Sequence, residues 1–143
     1  MLKININSKA YKIFIDYAIK TCDLFSLVFE KSDEYALQEE YNLISEGISS
    51  KKSIYVHPDT GSCFENADIC YLKTNTEVSS FLKKADSIFD WNGTALPGEL
   101  CFYRNREIWF SYVSHERLLF IHNETPNDIE FFNKNKIGFT YEI

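Results

Sequence analysis

Cys101 and the histidines His115 and His122 are the side chains in this sequence best suited to nucleophilic chemistry. A thiolate attacks an activated carbonyl or phosphoryl centre when a base stands within hydrogen-bond reach and the thiol is partly exposed. A small hydrolase or transferase is what such a pair would support. Cys101 lies between Leu100 and Phe102 in an expected strand, and no helix N-terminus follows it to lower its pKa. Free cysteine is among the most often buried residue types, so an inert core thiol is the stronger expectation.

Three other constellations carry less. His57, Cys63 and Cys70 are separated by five and six residues, too far apart for the tight pairs that fix two zinc ligands before folding. Asp59-Thr60-Gly61 matches the short aspartic-protease signature, but no second copy supplies the paired carboxylate, and the tripeptide is ordinary turn chemistry after Pro58. Arg104 and Arg106 flank a hairpin tip among aromatics, where they could stack on bases, yet no wider basic stripe accompanies them. No cofactor and no metal are expected.

The elements that must position these residues follow from hydrophobic periodicity. Ile4 and Ile6 alternate as in a strand, while Ala10, Phe14, Tyr17 and Ala18 keep helical spacing, so a helix is placed over 8–21. A buried strand follows over 24–30. Ser32 caps a helix over 33–46, with Asp33 and Glu34 in its first turn and Gly47 at its end. Leu37, Tyr41, Ile44 and Ile48 form its apolar stripe. Short strands are expected over 53–57 and 69–73. Thr74 and Glu77 form a capping box for a third helix whose apolar face runs through Val78, Phe81, Leu82, Ala85, Ile88 and Phe89. A hairpin of 100–103 and 108–113, a strand over 118–122, a short helix from Thr125-Pro126 through Phe132 and a strand over 137–143 complete the chain. The expected fold is α+β, one domain over 1–143, with an antiparallel β-meander packed against three to four helices.

Composition narrows the function. A chain of 143 residues with 12 Phe, 9 Tyr and 2 Trp has the material for a core without disulfide or metal staples. Its four cysteines are widely spaced, and its N-terminus lacks an apolar signal region, so a cytoplasmic protein is expected. The net charge of −6 is regional: residues 23–46 hold seven acids against Lys31, and the rest of the chain balances. Phosphate-rich partners, both nucleic acid and anionic membrane, are disfavoured, and a basic protein partner is favoured. On the face of the 33–46 helix opposite its stripe stand Tyr35, Glu39, Asn42 and Glu46. With Asp33, Glu34 and Glu40 they make the expected partner-binding set.

Leu96-Pro97-Gly98-Glu99-Leu100-Cys101-Phe102-Tyr103, the Trp109-Phe110 return strand and the Ser114-His115-Glu116 turn resemble small bacterial immunity proteins. These are encoded beside polymorphic or contact-dependent growth-inhibition toxins. The resemblance spans about the C-terminal half. It implies no catalytic residues. It implies an acidic, single-domain cytosolic inhibitor that occludes a basic, nuclease-type toxin domain, in agreement with the charge.

Overall fold

The computed structural model describes residues 1–30 and 48–142; the stretch 31–47, and with it the helix expected over 33–46, lies outside the described residues. Among the described residues the chain forms β1 (Leu2–Asn5), α1 (Ser8–Thr21), β2 (Leu24–Glu30), β3 (Ile48–Val56), β4 (Cys63–Lys73), α2 (Thr76–Leu82), β5 (Gly98–Arg104), β6 (Glu107–Val113), β7 (Leu118–Ile121), α3 (Pro126–Lys134) and β8 (Gly138–Tyr141). The eight strands make one antiparallel sheet in the order β3-β4-β2-β5-β6-β7-β1-β8, an α+β fold. β2 and β3 both run antiparallel to β4 and therefore parallel to each other. The chain thus leaves β2 at one end of the sheet and enters β3 at the other.

α1 begins where Asn7 accepts a hydrogen bond from the Ala10 amide at 2.9 Å, which satisfies one of the unpaired N–H groups of the first turn. Its buried stripe is Ala10, Tyr11, Phe14, Ile15 and Ala18. Phe14 stacks on Trp109 with ring centroids 5.8 Å apart and meets Phe110 at 4.9 Å. Burying side chains of this size contributes about 2–3 kcal/mol each, which makes this face the main core. Trp109 reaches it because it is an extra residue in β6: Phe102 pairs with Phe110 and Tyr103 with Ile108, leaving Trp109 on a β-bulge.

Three expectations are corrected. The third helix does not run to Phe89 but ends at Leu82, and a separate 3-10 turn occupies Ile88–Asp90. Ser87 and Asp90 form a capping box for that turn, so the polar residues between the two apolar groups start a new element. The N-cap of α2 is Asn75, which accepts from the Val78 amide, whereas the Thr74 hydroxyl donates to the Cys22 carbonyl. The two short strands of the middle region are also longer than expected, because β3 and β4 pair over most of their length.

Both faces of the central strands are covered. Phe25, Leu27, Cys70, Leu72, Leu100 and Phe102 face the helices in the main core. The opposite face carries a smaller apolar cluster, Val28, Ala67 and Ile69, and beside it a group of polar side chains beneath the loop 57–62.

Candidate functional site

The second face of the sheet is organised by an irregularity in β5. Ser26 pairs with Cys101 and Val28 with Gly98, so Leu27 alone opposes both Glu99 and Leu100. This is a β-bulge, and its first residue, Glu99, holds φ at 56°, the left-handed region that glycine usually fills. Backbone strain of this kind costs on the order of 1–3 kcal/mol and clusters at functional sites. Here it turns a carboxylate away from the helices. Glu99 is wholly buried.

One oxygen of that carboxylate is saturated. Oε1 accepts from the Ser62 hydroxyl at 2.9 Å, the Ser114 hydroxyl at 3.0 Å and the Ser114 amide at 3.2 Å. His115 Nδ1 stands 3.8 Å away, on a side chain that is 60% exposed. The other oxygen, Oε2, is buried with no hydrogen-bond partner among the described residues. Ser62, Ser114 and His115 line the wall of a surface cleft of about 470 Å³, closed on other sides by Val28, Glu30 and Phe64. Gly98 belongs to the same wall, where a Cβ would come within 3.3 Å of the Gly93 amide nitrogen.

Beside Glu99 the loop 57–62 seals the sheet. The His57 amide donates to the Ser62 carbonyl at 2.8 Å, and Gly61 takes a positive φ to close the turn. Tyr103 donates its hydroxyl to Asp59 at 2.6 Å and so accepts from Ser26 at 3.1 Å. Burial holds the Tyr103 phenol far above its usual range, which keeps it a donor.

His57 is the histidine that meets Cys101, with Nε2 4.0 Å from Sγ. Its Nδ1 accepts from the amides of Asp59 and Thr60 at 3.0 and 3.2 Å. An acceptor nitrogen carries no proton, so the proton of the neutral ring sits on Nε2 and points at the sulfur. Burial lowers the His57 pKa and keeps the ring neutral. Burial first, then the nearby charges of Glu99 and Asp59, raises the Cys101 thiol well above its usual value. The pair therefore holds a protonated thiol beside a ring that donates to it. That is the reverse of what nucleophilic attack requires.

The residues singled out from sequence fall in different places. The partner-binding set, Asp33, Glu34, Tyr35, Glu39, Glu40, Asn42 and Glu46, lies outside the described residues. The two histidines expected beside Cys101 have other partners: His115 faces Glu99, and His122 shares a 3.0 Å hydrogen bond with Ser111, the cross-strand neighbour of Cys101. Cys70 lies in the main core and Cys63 is exposed, while His57 serves the opposite face. Asp59-Thr60-Gly61 is a turn. Arg104 is engaged with Asp128 through two bonds of 2.9 and 3.0 Å and lies 4.1 Å from the Trp109 ring centroid, leaving Arg106 exposed at the hairpin tip. Glu99 was not among the expected site residues. The available signal was a lone acid inside the run Gly98-Glu99-Leu100-Cys101-Phe102-Tyr103, where a buried strand offers no solvent to a charge.

Compared with protein-family models, curated proteins and solved structures, the chain shows no match.

Proposed function

We propose that this protein is an immunity-type inhibitor that neutralises a basic protein toxin, nuclease-type in charge, by stoichiometric binding in the cytoplasm. The observation that carries this reading is the placement of the −6 charge. It occupies residues 23–46, the stretch that leads directly into β3 at the edge of the sheet. Near its end β3 exposes Tyr55 by 77% and Val56 by 55%. An acidic stretch leading into an edge strand that also exposes an aromatic suits a partner that arrives by charge and is then anchored by a large apolar side chain. In this reading Asp33, Glu34, Glu39, Glu40 and Glu46 steer the encounter, with Tyr35 and Asn42 in the contact.

Co-expression with the product of the immediately upstream reading frame, followed by titration calorimetry at several salt concentrations, tests it. A 1:1 complex of about nanomolar affinity that weakens with salt is expected. Changing Glu39→Lys and Glu40→Lys together should slow association and flatten its salt dependence. Absence of a complex overturns the reading.

A further inference from the structure

We infer that the cleft over Glu99 is a receptor for one cationic side chain, a guanidinium or ammonium group on an aliphatic stem, supplied by the protein partner. The source of the cation rests on the function proposed above; the cation preference of the cleft rests on its own geometry.

The cleft presents acceptors. Ser62 and Ser114 both turn their hydroxyl protons inward to Glu99 Oε1, and the Ser114 amide proton is committed to the same atom. A hydroxyl whose proton is committed offers only lone pairs on its other side, and on Ser62 one of these already accepts from the Thr60 hydroxyl at 3.1 Å. The two serines therefore carry the negative charge of the buried carboxylate to the cleft wall. Asn92, also on the wall, spends its Oδ1 on the Thr94 amide and adds no acceptor. Glu30 adds a second carboxylate, and no lysine or arginine is among the described lining residues. Beneath them Glu99 Oε2 still lacks a donor. A buried carboxylate without a counter-charge at contact distance is costly, and a cation seated on the serines that bind Glu99 Oε1 would offset that charge.

The shape is consistent with the chemistry. Val28 and Phe64 supply an apolar flank for a methylene stem, and the volume of about 470 Å³ accommodates a long side chain. Several separated acceptors favour the planar five-donor guanidinium over the compact ammonium. The strained bulge serves this arrangement. A residue at that position in ordinary extended backbone would not set a carboxylate behind two serines.

The test uses the full chain and Nα-acetyl-arginine amide as probe, followed by amide chemical shifts of Ser62, Ser114 and His115. The neutral citrulline analogue is the control. Saturable shifts at the cleft with arginine are expected, weaker by about tenfold with citrulline and in Glu99→Gln, which keeps an oxygen for the serines but removes the charge. Should Glu99→Gln not fold, Glu30→Gln on the cleft wall tests the same preference and should weaken binding about threefold. Equal binding of the two probes, equal binding by both variants, or no shift at the cleft overturns the cation site. The complex with the upstream gene product then separates the sources. If Glu99→Gln weakens that complex, the cation belongs to the partner. An unchanged complex overturns that assignment. The probe titration needs no partner, so failure of the toxin reading is visible separately.

Discussion

Among the described residues two carboxylates are completely buried, and they are treated in opposite ways. Asp128, in the first turn of α3, takes two bonds from the Arg104 guanidinium, the Tyr17 hydroxyl at 2.6 Å, the Trp109 indole at 3.0 Å and the Thr125 amide at 3.0 Å. Glu99, on the β5 bulge, has three donors on one oxygen and none on the other. Asp128 has a permanent cation at contact distance, whereas Glu99 has, among the described residues, an exposed histidine at 3.8 Å. The first arrangement is closed: it ties α1, β5, β6 and α3 together and leaves nothing for a ligand. The second is open by one donor and one positive charge. Buried charge that is fully paired marks architecture, and buried charge left short of a partner marks a place for one.

Breaking the closed carboxylate should have the largest effect. Asp128→Asn leaves Arg104 without its counter-charge and should lower the unfolding free energy by about 3 kcal/mol, read as a shifted urea midpoint. A change under about 1 kcal/mol would show that the network is not the tie described here.

The pH dependence probes the same contrast at intermediate size. Burial is the chief cause that lowers the pKa of His57 and of His122 below 6.5 in the folded protein. Between that lowered value and 6.5 the unfolded chain binds more protons, so stability must fall as pH drops below 6.5. The loss should be measurable between pH 7 and pH 5, and His57→Asn, which preserves an acceptor for the loop amides, should reduce it. For Asp128 the hydrogen bonds from Arg104 and Tyr17 outweigh burial and hold the carboxyl below 3.8. Its contribution is complete above 3.8 and is lost only as pH falls from there through the folded value. Acid titration monitored by tryptophan fluorescence should therefore resolve a histidine phase above the carboxylate phase.

The smallest change in stability belongs to the open carboxylate. Glu99→Gln should alter the unfolding free energy by no more than about 1 kcal/mol, because the serine donors keep their acceptor and one buried charge is removed. Loss of stability as large as that of Asp128→Asn would mean that Glu99 is architecture too. The comparison predicts a separation: one substitution costs stability, the other costs binding.

Much of this was legible before folding. α1 spans the expected 8–21, because its apolar spacing and its Asn7 cap are local features. The hairpin around Asn105 and Arg106 was legible from two apolar runs and a polar turn, and both turn residues take positive φ as a two-residue hairpin requires. Thr125-Pro126 announced α3, and its capping box with Asp128 is a four-residue pattern. The helix expected to reach Phe89 failed where Ser87 and Asp90 satisfied each other's backbone groups instead, a local competition that apolar spacing does not register. Opening strand β1 was ambiguous because four residues pair with β7 and β8, both over 100 residues away.

The sequence by itself determined an α+β chain, the bounds of its most periodic elements and the location of its net charge, since each depends on neighbours within one or two turns. Only the tertiary structure decided which histidine meets Cys101, which arginine is paired with a buried carboxylate and which carboxylate is left short of a donor. His57 and Cys101 are 44 residues apart, as are Asp59 and Tyr103, and Ser62 and Glu99 are 37 apart. Sequence spacing carries no record of such pairs. They exist because β5 lies beside β2 at the centre of one sheet, and because the loop between β3 and β4 folds back over that sheet's second face, where polar groups left without water must find one another.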